Sequence, residues 1–152
     1  MRDSAGVSFP PPFIYAIAFL LGLLVAHFEP LGGVAPLWVR VLGAVLVVSG
    51  MALAATAFRI MLGAGNKIAP NLPVNVIVTR GPYRFTRNPM YLALGLIYLG
   101  FALFFSAWWA AIFLIAVIAI IRFAVIAREE GYLEQKFGGQ YLSYKERVRR
   151  WL

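Results

Sequence analysis

Between Arg87 and Arg122 the chain carries no Asp, Glu, Lys or Arg. A single bilayer crossing takes about 20 to 25 apolar residues, so this run is too long for one helix and right for two. Ser106 breaks it near the middle, and Trp108 and Trp109 follow at once. Paired tryptophans suit the boundary between hydrocarbon and water. The pattern therefore predicts a helical hairpin, with helices over 89–105 and 107–127 and its tip at an interface.

Two more apolar runs precede it. Residues 13–28 follow a proline-rich lead over 1–12 and are about 24 Å long as a helix. They lack a small-residue cleavage site and are read as a retained span rather than a leader. Residues 37–62 form the second run. Arg40 and Arg59 lie near its ends, where long side chains can reach the headgroups. The helix-breaking stretch 29–36 joins the two. With 62% hydrophobic and 13% charged residues, the expectation is an all-α integral membrane bundle. It forms one domain over 1–152 with four spans, a polar loop at 63–88 and a polar tail at 128–152. Val74, Val76 and Val78 alternate with other residues, which suggests a short extended piece within the loop.

Composition removes several chemistries. The chain has no cysteine and one histidine, His27. Disulfides, thiolate nucleophiles, zinc–cysteine sites and Fe–S clusters are excluded, and so is a histidine-rich metal centre. The net charge of +8 comes without a nucleic-acid recognition motif. It reads instead as basic residues gathered on one membrane face against anionic lipid. Lys67, Arg80, Arg84 and Arg87 lie in the 63–88 loop and six more basic residues lie from Arg128 onward, whereas 29–36 and Ser106 carry none. By the positive-inside rule the loop and the tail share the cytosolic side, with both termini.

That side holds two polar constellations. The first is "TRGPYRFTRNPMY" over 79–91. Gly81 permits a tight backbone turn and Pro82 stiffens it. Asn88 followed by Pro89 fits an N-cap and first helical position, which directs free N–H groups toward the cytosolic rim. A carboxylate suits such an end, and the rings of Tyr83 and Tyr91 suit a flat heterocycle. The second constellation begins at Arg122. Glu129 lies seven residues on, about 10 Å along one helix face, a separation suited to two ends of one ligand. Glu129 and Glu130 stand near the expected end of the fourth helix, where the dipole disfavours anions, so a positive partner is expected. Tyr141, Tyr144, Val148 and Trp151 then recur at helical spacing among basic residues. That reads as an amphipathic helix in the headgroup layer.

These residues together resemble the isoprenylcysteine carboxyl methyltransferases and the related phospholipid methyltransferases. Members carry a Gly-Pro-aromatic turn, then Arg-His-Pro-x-Tyr entering a membrane helix. Here those positions are Gly81, Pro82 and Tyr83, then Arg87, Asn88, Pro89 and Tyr91. After a helical hairpin comes a Glu-Glu pair leading into Leu, Phe-Gly, Tyr, Tyr and Val-x-Arg. Here these are Glu129, Glu130, Leu133, Phe137, Gly138, Tyr141, Tyr144, Val148 and Arg150. The chain departs from the pattern at Asn88, where the family has His, and at Val125, where it often has Arg.

The resemblance implies a methyltransferase that binds S-adenosylmethionine at the cytosolic rim and methylates a membrane-embedded or amphipathic acceptor, a carboxylate among the choices. It implies cofactor contacts from Val78, Thr79, Gly81, Pro82 and Tyr83, and from Arg87, Asn88, Pro89 and Tyr91, with Glu130 and Tyr141 completing the set. Arg122, Glu129 and Glu130 are the candidate catalytic residues, with Arg122 orienting the acceptor. Two other readings stay open at this point: a membrane reductase using NADPH, and a non-enzymatic protein whose basic rim binds anionic lipid.

Overall fold

The computed structural model describes residues 9–66, 72 and 74–151. Lys67, counted above with the loop's basic residues, lies outside them. The described chain is helical throughout, with no strand. Helix α1 is Pro11–Phe28, α2 is Leu37–Gly63, α3 is Pro89–Phe104 and α4 is Trp108–Ile120. A π-helical segment, Ile121–Ile126, carries α4 into α5, Ala127–Phe137, and α6 is Gly139–Arg147. Prolines at the first positions of α1 and α3 set the entry of both helices, since a helix start needs no N–H there.

Three stretches are long and apolar enough to cross a membrane: Pro11–Phe28, Leu37–Gly63 and Trp108–Phe137. α3 is apolar but has only 16 residues, about 24 Å at 1.5 Å each, so the expected fourth span is short. Leu20, Leu37, Trp38, Ile115 and Phe123 are all exposed. In water such a surface would be untenable, and in a bilayer it is the lipid contact. The protein is thus a helical membrane bundle.

Small residues decide the packing. A methyl group on Gly100 would lie 2.6 Å from the Gly43 carbonyl oxygen, and one on Gly22 would lie 2.6 Å from the Ala110 backbone. α2 therefore seats against α3, and α1 against α4, at backbone-to-backbone range. Membrane helices gain their association from such van der Waals approach. Tyr15, Tyr98, Ala110, Leu114, Val117 and Ile121 fill the centre.

One end of the bundle is pinned. The Trp108 indole donates to the Gly33 carbonyl (3.0 Å) and that of Trp109 to the Glu29 carbonyl (2.7 Å). The Ala35 N–H donates to the Ser106 hydroxyl (2.8 Å). The hairpin tip at Ser106 and the 29–36 connection are thereby joined.

Three sequence expectations change. The valine alternation at 74–78 makes no strand. The Asn66 side chain receives the N–H groups of Asn75 (2.7 Å) and Val76 (3.0 Å) and donates to the Val76 carbonyl (2.8 Å), which takes the place of a neighbouring strand. The helix expected to end at 127 continues to Phe137 through the π-helical segment, so the two glutamates stand mid-helix rather than at a terminus. The tail helix turns its aromatic face inward. Tyr141, Tyr144 and Val148 are buried against Ile77, Leu133 and Phe137, a protein contact in place of the expected headgroup layer.

Candidate active site

At the end opposite the pinned tip, the start of α3, the middle of α5 and the inner face of α6 enclose a pocket. Met61 from α2 and the 74–78 segment close its sides. The cavity has a volume of about 140 Å³.

Glu130 is the electrostatic centre. Its side chain is 7% exposed, a position a carboxylate keeps only with strong partners. The Arg150 Nε donates to Oε1 at 3.1 Å and Nη2 donates to Oε2 at 2.5 Å, the two-pronged geometry that suits guanidinium to carboxylate. The bond to Glu130 holds the Arg150 guanidinium above its ordinary range. Arg87 Nη1 stands 3.3 Å from Glu130 Oε1, its side chain 8% exposed. That approach is an ion pair without an aligned hydrogen bond, and neither Nε nor Nη1 has an acceptor among the described residues. The positive partners expected for the glutamate pair are thus two arginines, both directed at Glu130.

Glu129 differs. Its Oε1 accepts a 2.6 Å hydrogen bond from the Tyr91 hydroxyl, and no ion pair to it is found among the described residues. The Tyr15 hydroxyl donates in turn to the Tyr91 carbonyl (3.1 Å), so α1 braces the first turn of α3.

Tyrosines line the rest. Tyr83 is buried and its hydroxyl has no partner among the described residues. Burial, then the nearby Glu129, pushes its phenol up to about 12. Tyr141 is also pushed up to about 12, by burial first and by Glu130 next, with Arg87 opposing. Both rings are neutral donors at any ordinary pH. The Tyr144 hydroxyl donates to the Tyr83 carbonyl at 2.7 Å and so fixes the 3-10 turn Gly81–Arg84 beneath α6. Gly81 itself has φ +60, and a methyl group there would collide with Ile60. Its freedom serves the turn.

The C-terminal segment fastens the turn at 86–88 from behind the pocket lining. The Arg87 N–H donates to the Arg149 carbonyl (2.9 Å), and the Arg150 carbonyl receives the Thr86 hydroxyl (3.1 Å) and the Asn88 amide (2.9 Å). Asn88 occupies the N-cap position of α3 but makes no capping bond with its side chain; its amide nitrogen donates to the tail instead.

Of the residues singled out from sequence, Val78, Tyr83, Arg87, Asn88, Pro89, Tyr91, Glu129, Glu130 and Tyr141 line the pocket. Thr79, Gly81, Pro82 and Arg122 do not. Arg122 is exposed, with its guanidinium 5.4 Å from the Phe123 ring centre. The π-helical segment between it and Glu129 adds residues per turn and breaks the shared face that α-helical spacing implies. Sequence reasoning placed Tyr144 in the amphipathic tail helix and the family motif but gave no site role to it, to Thr86 or to Met61. Arg150 was visible only as the end of the Val-x-Arg motif.

The sequence profile of a family described as phospholipid methyltransferase matches residues 38–140, from α2 to the beginning of α6. A Haemophilus influenzae protein described as uncharacterized is 49% identical over 63 residues, which is 41% of this chain and the whole of that relative.

Proposed function

We propose, since this chain belongs to the phospholipid methyltransferase family and is an integral membrane methyltransferase, that S-adenosylmethionine is its methyl donor and that the pocket around Glu130 holds it. One observation carries this reading. Two buried donor groups that line the pocket, the Tyr83 hydroxyl and the Arg87 guanidinium edge, lack acceptors among the described residues. Buried polar groups are normally satisfied, so a ligand rich in acceptor atoms is the natural complement.

The donor set fits an amino-acid-bearing nucleoside. Arg87 suits its carboxylate, Glu130 its ammonium or hydroxyl groups, and the neutral Tyr83 and Tyr141 its heterocycle. Glu129, held by Tyr91, offers a carboxylate against the positive charge of such a ligand. When bound, S-adenosylmethionine supplies an electrophilic methyl group on a sulfonium. The residues supply binding, alignment and exclusion of water, effects that together can be worth several kcal/mol. Met61, Val76 and Leu133 make the flanks apolar, which suits an acceptor with a hydrocarbon body. A carboxylate acceptor, with a reference pKa of about 4, needs no proton removed.

The pocket end faces the cytosol in this reading, with both termini, and the basic tail lies against anionic lipid. Cysteines introduced singly into this cysteine-free chain, at the tail and at 29–36, test the orientation by their labelling from each side of a vesicle. Titration of the detergent-solubilised chain with S-adenosylhomocysteine tests the donor. Binding is expected, with NADPH inert, and Glu130→Ala and Asn88→Ala each weaken it. No calorimetric or thermal-shift response at millimolar ligand refutes the proposal, and unchanged affinity in both variants refutes the site.

A further inference from the structure

The pocket brings two arginines to one carboxylate, and they are used unequally. Arg150 takes both oxygens of Glu130, at 3.1 and 2.5 Å. Arg87 approaches it off-axis at 3.3 Å, stands beside the Tyr141 phenol, and keeps two buried donor nitrogens, Nε and Nη1, without an aligned acceptor among the described residues. A guanidinium carries five donors in a rigid fork. Were Glu130 open, that fork would close on it, because a lone buried ion pair aligns as far as geometry allows.

The segment that supplies Arg150 is also fastened to Arg87 itself. Arg149 receives the Arg87 N–H, and the Arg150 carbonyl receives Thr86 and Asn88 on either side. These bonds fix the backbone of Arg87 relative to Arg150, so the two guanidinium groups hold a set spacing about Glu130. We infer that Arg150 is a positioning residue: by occupying both oxygens of Glu130 it keeps the buried edge of Arg87 available for the carboxylate of a bound ligand. Residues 149 and 150 lie beyond the 38–140 region matched by the family profile.

The inference rests on the methyl-donor reading above, where the carboxylate is that of the donor's amino-acid arm. It predicts that Arg150 acts through Arg87 and on that arm alone. The test uses the full chain in detergent and two probes: S-adenosylhomocysteine, which has the carboxylate, and 5′-methylthioadenosine, which lacks the amino-acid arm.

Arg150→Gln is expected to weaken S-adenosylhomocysteine at least tenfold and methylthioadenosine less than threefold, because Glu130 then captures Arg87. In an Arg87→Gln background the same change should cost less than threefold for either probe, since no fork remains to be freed. Arg150→Lys, a single point charge that cannot hold both oxygens, should fall between wild type and Arg150→Gln. A role confined to holding the tail predicts otherwise, with equal losses for both probes and additive losses with Arg87→Gln. Either result overturns the inference while leaving the donor reading intact if wild type binds. Failure of wild type to bind S-adenosylhomocysteine overturns both.

Discussion

Gly95 and Gly100 lie five residues apart on α3 and offer a paired test of how the bundle holds its shape. A methyl group at Gly95 meets nothing within 4 Å. At Gly100 it would stand 2.6 Å from the Gly43 carbonyl oxygen, 2.7 Å from Val47 Cγ2 and 2.8 Å from the Val47 nitrogen. Two of these are backbone atoms of α2 and cannot rotate away. Restoring an ordinary contact of 3.4 Å requires α2 and α3 to part by about 0.8 Å, the difference of the two distances. A gap of that size forfeits roughly a quarter to a half of each contact along the seam. Overpacking of this kind costs about 1–3 kcal/mol. Gly95→Ala should instead gain about 0.5–1 kcal/mol from the lower backbone entropy of alanine. The two variants are therefore expected to shift in opposite directions and to differ by about 1.5–4 kcal/mol. Unfolding in mixed micelles, followed by tryptophan fluorescence against denaturing detergent, measures it. Because α2 brings Met61 and α3 brings Tyr91 to the pocket, Gly100→Ala should also weaken ligand binding, and Gly95→Ala should not. Equal stability of the two variants would refute the close-approach account of the fold.

Three further outcomes are expected. Tyr91→Phe removes the 2.6 Å donor to Glu129 and leaves a buried acceptor unsatisfied, at a cost of about 1–3 kcal/mol. Glu129→Gln should reduce that cost, and a double-mutant cycle by denaturant unfolding reads the coupling. Arg122→Ala should leave S-adenosylhomocysteine affinity within about threefold of wild type, because Arg122 is exposed and absent from the pocket lining; a larger loss in calorimetry would return it to the site. The phenols of Tyr83 and Tyr141 are raised from 10 to about 12, so the folded state holds these protons more tightly than the unfolded chain does. The stability they confer is complete below pH 10 and is lost as pH rises from 10 toward 12. Denaturant midpoints measured across that window should fall, and Tyr141→Phe should flatten the fall.

The spans were legible because hydrocarbon imposes one requirement, that backbone groups be paired internally, and long uncharged runs can meet it only as helices. The starts at Pro89 and Leu37 were readable from prolines and from the change in polarity. The site was partly legible: the Arg-Asn-Pro-x-Tyr and Glu-Glu stretches do meet in one pocket. What remained hidden depended on partners distant in the chain. Polarity after Arg128 suggested a helix end, but the backbone continues, with Glu130 paired to Arg150 and Leu133 packed against Tyr141 and Tyr144 of α6. Nothing local in "TRNPMY" reveals that Asn88 serves a carbonyl 62 residues away. Nor does spacing reveal a π-helical segment, so a residue seven positions before Glu129 was placed on the wrong face. Amphipathic spacing at 141–151 was read correctly as one-sided, but the same apolar face suits protein and membrane alike.

The bonds from Arg149 and Arg150 to the turn at 86–88 also set an order of events during biosynthesis. All the spans are synthesised before these two residues, so the helices can be inserted while Glu130 still lacks Arg150. Closure of that ion pair is then a late event, in which the tail folds back onto a bundle whose other parts are already in place.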